Sequence, residues 1–160
     1  MKTPVDEIYK IKKFREERAE RELAKAEENL LNKKQIVIQK KQELASYQQW
    51  RIEEEDRKYD ELMKKESVRR RALDDLKSEV KSLRDKEIDY HQAVAKAEEE
   101  VVEAEAQVKD AQDAYIKSVR NSEKMSEMQQ SLRSELMDIA AMNAEKEIED
   151  SFKYKPKKII

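Results

Sequence analysis

Hydrophobic residues recur at alternating intervals of three and four positions through the middle of the chain. Starting at Leu73, these steps reach thirteen positions, and every one except Glu87 carries an apolar or aromatic side chain. A seam that lasts about six heptads is typical of a coiled-coil helix packed against a partner helix. The positions are Leu73, Leu76, Val80, Leu83, Glu87, Tyr90, Val94, Ala97, Val101, Ala104, Val108, Ala111 and Tyr115.

A second and weaker seam lies upstream, where the same steps meet two lysines among apolar residues. Lysine tolerates such a position because its methylene stem can lie along the interface while its ammonium group reaches water. Beyond Tyr47 we expect the seam to shift by one residue and to continue through Ile52, Tyr59 and Leu62. The positions before the shift are Leu23, Ala26, Leu30, Lys33, Val37, Lys40, Leu44 and Tyr47.

The two seams could pair with each other or with those of a second copy. A turn near Ser67, where β-branched Val68 also interrupts strong helix formers, would place Ala97 opposite Val37. Ala104 and Ala111 would likewise face leucines, and layers that alternate in size pack closely without voids. We therefore predict an all-α fold, a long antiparallel two-helix coiled-coil hairpin, with a single long helix that dimerises as the alternative.

This hairpin would form one domain over residues 1–160, with helix one at about 4–65 and a turn at about 66–69. Helix two would cover about 68–150, and a basic tail would follow at 151–160. Helix two is thus roughly twenty residues longer, so about 30 Å of it should project beyond helix one. Its C-terminal apolar stripe would lack an internal partner, which suggests a binding face, although a frayed tail or a dimer contact remains the alternative. The stripe consists of Met128, Leu132, Leu136 and Ile139.

The composition agrees with long helices and opposes a globular core. Charged residues make up 45% of the chain, glycine and cysteine are absent, and the two prolines stand near the ends at Pro4 and Pro156. Disorder is the competing interpretation, but the 35 basic and 37 acidic residues nearly cancel and the apolar positions are periodic. With no apolar run of about 18 residues and no signal peptide, we expect a cytoplasmic protein without stable membrane insertion.

We find no pattern that indicates catalysis. His91 is the only histidine, the acidic runs look like solvated helix faces, and a chain without glycine cannot form a phosphate-binding loop. We expect a protein that is not an enzyme and that has no catalytic residue, cofactor or metal site. A net charge of −2 also argues against nucleic-acid binding.

The single tryptophan, Trp50, lies off the seam of helix one in either phase. It could be a cap that packs over a loosened stretch of the coiled coil. It could also be an exposed anchor for another protein, since Trp, Tyr and Arg dominate binding hot spots, and Tyr47 and Arg51 lie within one turn of it. The sequence alone leaves both interpretations open.

Three ordered stretches resemble a known family. They are YQQWRIEEEDRKYDE at residues 47–61, SLRDKE at 82–87 and FREERAERELAKAE at 14–27. Together they resemble the YscO (SctO) family of stalk proteins in bacterial type III secretion systems, relatives of the flagellar protein FliJ. The resemblance covers residues 1 to about 125, and its most specific part is the run around Trp50.

The resemblance implies a cytoplasmic coiled coil, peripheral to the secretion apparatus at the inner membrane, similar to the central stalk of rotary ATPases. It implies three partners: the hexameric secretion ATPase, the export gate and secretion chaperones. We expect a monomer; a generic scaffold that dimerises through its heptads, with no role in secretion, is the alternative. The implied ATPase-binding residues are Lys12, Lys13, Arg15 and Arg18, and the implied gate-binding residues are Tyr47, Trp50, Arg51 and Tyr90.

Overall fold

A computed structural model describes residues 3–153 and consists there of two long helices. Helix α1 covers Pro4–Met63 with 60 residues, and helix α2 covers Arg70–Lys153 with 84 residues. Backbone hydrogen bonds at Lys64 and Lys65 extend the last turn of α1 slightly beyond Met63. The prediction of an all-α helical hairpin is confirmed. Most of the expected basic tail, residues 154–160, lies outside the described residues.

The first turn of α1 is closed by a reciprocal cap. The Asp6 N–H donates to Thr3 Oγ1 at 3.3 Å, and the Thr3 N–H donates to Asp6 Oδ2 at 3.0 Å. Asp6 also accepts a hydrogen bond from the side-chain amide of Gln129 and lies 3.9 Å from Arg133. These contacts lower the pKa of Asp6, the bond from Gln129 most of all. The cap therefore satisfies free N–H groups at the helix start and also ties that start to α2.

The chain forms two compact units, and the two helices run antiparallel in each. In the unit Leu23–Ala111, Lys33 pairs with Glu100 at 3.4 Å, whereas Lys58, further along α1, pairs with the earlier residue Glu79 at 2.8 Å. Small side chains are among the most buried, with Ala104 only 2% exposed. Burial of alanine fits a close approach of the two helices, as the alternation of small and large layers predicts.

The structure largely follows both predicted seams. All eight upstream positions are buried or half-buried, and of the thirteen positions on α2 only Leu73 is exposed. The expected shift of the seam after Tyr47 is wrong at Ile52 and Tyr59, which are 51% and 42% exposed, and holds only at Leu62, which is buried. In place of Ile52 and Tyr59, the charged residues Arg51, Glu55 and Lys58 occupy buried or half-buried positions. An apolar residue returns to the seam at Leu62.

The second unit combines α1 up to Glu22 with α2 from Gln112. Ala19 and Ser122 are buried there, and the Ser122 hydroxyl donates to Glu16 Oε2 at 2.6 Å. Leu132 is the last half-buried residue of α2, and every side chain from 134 to 152 is exposed. We call residues 134–152 the overhang; they correspond to about 28 Å of helix.

Candidate partner-binding surfaces

Three aromatic residues form a cluster in the unit Leu23–Ala111. The Tyr47 ring stacks on Tyr90 with centroids 4.5 Å apart and an interplanar angle of 18°. The Tyr47 hydroxyl donates to the backbone carbonyl of Leu83 at 2.6 Å, so the phenol bridges the two helices at 7% exposure. Burial, with the neighbouring Tyr90, raises the pKa of Tyr47. Tyr47 is therefore a structural support of the cluster and presents little surface to a partner.

Trp50 is the accessible member of this cluster. Its ring centroid lies 5.7 Å from that of Tyr47 at a tilt of 37°, and the residue is 49% exposed. One part of the indole thus packs on a fixed tyrosine, and the other part faces solvent. This combines the two interpretations of the sequence, since Trp50 covers Tyr47 and still offers a preorganised aromatic surface.

A layer of charged side chains crosses the interface next to the aromatic cluster. Arg51 Nη1 donates to Glu55 Oε1 at 2.9 Å, and Arg51 Nε lies 3.4 Å from Glu87 Oε2. Arg84 Nε, from α2, lies 3.3 Å from the same Glu55 oxygen. The side chains of Arg51, Glu55 and Glu87 are only 15%, 10% and 16% exposed. We call these four residues the charged layer.

The charged layer changes the expected role of Arg51. The hydrogen bond to Glu55 raises the pKa of the guanidinium, which stays charged, while its buried Nε makes no hydrogen bond. Sequence reasoning predicted that Arg51 contacts a partner directly, whereas in the structure its side chain points into the interface between α1 and α2. Sequence reasoning also missed the burial of Glu55. One signal for Arg51 was available, since a glutamate at seam position 87 needs a cation from α1.

The basic segment near the start of α1 is partly neutralised by its own helix. Lys13 pairs with Glu16 at 3.3 Å and Arg18 with Glu22 at 3.3 Å, whereas Lys12 is half-buried and Arg15 is exposed. The hydroxyl of Ser122 is the main cause that lowers the pKa of Glu16, followed by Lys13. Exposed pairs of this kind contribute little to stability, and a partner with several carboxylates could replace them.

Sequence reasoning also missed two apolar residues in this segment. Ile11 and Phe14 are 51% and 59% exposed beside the cations. Their helical spacing of three residues was the available signal, although it does not match the seam. A partner at this surface would therefore meet apolar side chains as well as positive charge.

The four residues of the C-terminal stripe divide into two pairs. Met128 and Leu132 lie level with the start of α1 and line an open groove of about 560 Å³ with Val5. Leu136 and Ile139 lie in the overhang, where they are 50% and 53% exposed. The stripe thus begins beside α1 and continues along an unpaired helix.

The remaining chemistry is sparse over residues 3–153. No group of three His, Cys, Asp or Glu side chains has a geometry that could hold a metal ion. His91 is mostly exposed, with Nε2 3.9 Å from Glu87 Oε1. No helix in this part of the chain is long and apolar enough to cross a membrane.

A paired-helix coiled coil whose candidate sites are surfaces rather than clefts belongs to the broad class of structural and adaptor proteins. The family model described as "Type III secretion protein YscO" matches residues 5–154. The chain therefore belongs to the YscO family of type III secretion proteins. No curated protein matches the sequence.

A solved structure agrees with this assignment. The fold matches the crystal structure of the type III secretion protein YscO from Vibrio parahaemolyticus with a TM-score of 0.85. The two chains share 25% sequence identity over an alignment that covers 91% of each. The resemblance predicted from the three sequence stretches is confirmed.

Proposed function

We propose that this protein is a cytoplasmic, monomeric stalk or adaptor of a type III secretion system. It links the hexameric secretion ATPase to the export gate, promotes assembly or activity of the ATPase and escorts secretion chaperones. Membership of the YscO family supports the role in secretion. The observation that carries the finer assignment is that a basic surface and an aromatic surface lie on two different compact units of one helical hairpin.

For the ATPase contact we propose Lys12, Lys13, Arg15 and Arg18. Arg15 is exposed, and the ion pairs of Lys13 and Arg18 are surface pairs that an acidic partner could replace at small cost. Because charge carries this contact, its affinity should fall as salt concentration rises.

For the export-gate contact we propose Trp50 as the anchor. Tyr47, which is itself stacked on Tyr90, supports the indole from inside, and Arg51 fixes the adjacent turn of α1 through Glu55. An aromatic anchor on a rigid support is a common form of binding hot spot. The Trp50→Ala variant should therefore weaken gate binding by about tenfold or more, with little dependence on salt.

The C-terminal stripe is proposed as a further partner surface. Met128 and Leu132 provide a groove, and Leu136 and Ile139 extend it along the overhang. An unpaired apolar helix face that continues a groove suits a partner helix packed alongside it. A secretion chaperone is the proposed partner for this surface.

The experiment that tests the ATPase link measures ATP hydrolysis by the cognate secretion ATPase near its assembly threshold. The ATPase is titrated with the native chain and with a K12E/K13E/R15E/R18E variant. We expect stimulation by the native chain and loss of stimulation with the variant. The matched control, K64E/K65E/R69E/R70E, reverses four cations elsewhere in the chain, all of them exposed, and should stimulate like the native chain.

Two results would contradict the proposal. Equal loss with both charge reversals would show a general charge effect and no defined ATPase surface. No stimulation by the native chain would remove the ATPase link and favour a generic scaffold that dimerises through its heptads. Sedimentation at the same concentrations tells these outcomes apart, since the scaffold must be a dimer.

A further inference from the structure

Along one stretch of α1 in the unit Leu23–Ala111, apolar side chains are exposed and charged side chains are buried, the reverse of the usual arrangement. Ile52, Tyr59 and Met63 are 51%, 42% and 79% exposed, although their spacing of seven and four residues suits a coiled-coil seam. On the same stretch, Arg51 and Glu55 turn inward with side chains only 15% and 10% exposed. A helix that buries charges and exposes an apolar seam presents a second binding surface beside the interface between α1 and α2.

Cations of α2 form the other wall of this surface. Lys77, Lys81 and Arg84 follow one another at intervals of four and three residues, so they lie along one face of α2. With Tyr59 they line an open groove of about 360 Å³, which Val80 and Asp85 complete. Within residues 3–153, neither Lys77 nor Lys81 is within ion-pair distance of a carboxylate.

This surface is distinct from the aromatic cluster. Trp50 and Ile52 are two residues apart, which corresponds to roughly 200° around an α-helix. The Trp50 indole and the Ile52 side chain therefore lie on different sides of α1. A partner held by Trp50 leaves this second surface open.

We propose that the lateral groove, defined by Ile52, Tyr59 and Met63 on α1 and by Lys77, Lys81 and Arg84 on α2, binds an acidic amphipathic helix of a protein partner. The partner helix lays its apolar stripe on the three exposed residues of α1 and completes a local three-helix coiled coil. Asp or Glu along one edge of the partner meets the cations of α2. The inference does not depend on the proposed ATPase link.

The groove suits a helix that is acidic along one edge and neutral or basic along the other better than it suits a nucleic acid. On the α1 side, Asp56 and Asp60 are exposed near the apolar residues, and on α2 Asp85 lies within the lining. These carboxylates repel a phosphate backbone. A partner helix avoids Asp56 and Asp60 by carrying its acidic residues only on the edge next to Lys77 and Lys81, with neutral or basic residues on the other edge. It avoids Asp85 by carrying no acidic residue beside that position.

The overhang of a second copy is the rival occupant. Residues 134–152 contain six acidic residues and one lysine, together with exposed apolar residues such as Leu136 and Ile148. Such a contact would join different surfaces of two copies and would grow into open chains. Sedimentation velocity of the full chain over a concentration series therefore belongs to the test.

The test uses two synthetic helical peptides of about three heptads, each with leucine at both seam positions. One carries glutamate along a single edge, and the other carries lysine at the same positions. Fluorescence anisotropy measures their binding to the full chain. We expect the acidic-edge peptide to bind at least about tenfold more tightly than its basic counterpart. General charge attraction does not produce this preference, because the chain itself has a net charge of −2.

Two groove variants establish where the peptide binds. I52S/Y59S should weaken the acidic-edge peptide by about tenfold or more, and K77E/K81E should reverse the preference between the peptides. The controls are I38S, an exposed isoleucine elsewhere on α1, and K96E/K109E, two exposed lysines of α2 outside the groove. Both controls should bind like the native chain. Circular dichroism confirms that each variant is helical.

Three outcomes would overturn the proposal. The first is no binding of the acidic-edge peptide, or equal binding of both peptides. The second is binding that the groove variants leave unchanged, which would move the site elsewhere. The third is concentration-dependent self-association of the native chain that I52S/Y59S abolishes, which would assign the groove to a second copy.

Discussion

Two neighbouring stretches of the same coiled coil fill the seam between α1 and α2 with opposite kinds of side chain. Residues 23–47 of α1 and 90–111 of α2 place mostly apolar and small side chains in the seam, with Ala97 and Ala104 almost fully buried and with Lys33 and Lys40 as the charged exceptions. Residues 51–58 and 79–87 place Arg51, Glu55 and Glu87 there instead. Both stretches are continuous helix, so the difference lies in the seam alone.

The difference suggests that stability and alignment come from different stretches. Apolar seams are strong but tolerate sliding by a heptad, because one leucine or alanine layer resembles the next. A buried ion network adds little net stability, since desolvation offsets the attraction, but it penalises every alignment that separates the charges. We therefore expect the apolar stretch to stabilise the hairpin and the charged layer to determine which residues face each other.

The largest effect should come from a charge placed in the apolar stretch. Ala104 is 2% exposed, so Ala104→Asp buries a carboxylate that has no partner and should lower the free energy of unfolding by about 3 kcal/mol or more. Urea unfolding followed by circular dichroism measures the change. Ala106→Asp is the matched control, since Ala106 is exposed on the same helix and the substitution has the same helix propensity. Equal losses in the two variants would show that Ala104 is not part of a tight seam.

Variants of the charged layer should have intermediate effects on the free energy of unfolding, and the sign of the effect should depend on how many charges are removed. Arg51→Leu leaves Glu55 and Glu87 in a partly dry interface without their shared cation, and should cost about 2 kcal/mol. The triple variant R51L/E55L/E87L removes the three inward charges and leaves only the mostly exposed Arg84. It should be as stable as the native chain or about 1–2 kcal/mol more stable. Urea unfolding measures both variants.

Alignment of the helices provides the second readout for the charged layer. Spin labels on exposed residues Gln49 and Lys86 report a distance distribution across the two helices. We expect one narrow population in the native chain and additional populations in the triple variant, because leucine layers permit other alignments. A triple variant with a single native distance would show that the apolar stretch alone determines the alignment.

The comparison also explains which parts of the structure were predictable. The heptad pattern located the seams up to Tyr47 and along α2, because apolar residues there repeat at the period of the interface. It failed beyond Tyr47, because it followed Ile52 and Tyr59 and took Arg51 and Glu55 for surface residues. Burial of those charges depends on partners in α2 that lie about 30 residues away in sequence, and periodicity within one helix cannot detect them.

The candidate surfaces were predictable to a similar extent. The position of Trp50 off the seam indicated that its indole would be accessible, and the structure places it about half exposed. The seam pattern predicted that Tyr47 points inward. The inward direction of Arg51 was not predictable, because it depends on Glu87 across the interface.

The smallest effect should come from the boundary between the two stretches, where Tyr47 bridges the helices. Tyr47→Phe retains the stack on Tyr90 and removes only the hydrogen bond to the Leu83 carbonyl, and should therefore cost about 1 kcal/mol. Tyr90→Phe is the control and should change stability by less than about 0.5 kcal/mol, because no hydrogen bond of the Tyr90 hydroxyl is found among the described residues. If both variants unfold at the native urea concentration, the 2.6 Å bond does not help to align the helices at this boundary. A loss confined to Tyr47→Phe, with the spin-label distance unchanged, would mean that the tyrosine strengthens an alignment that the charged layer has already determined.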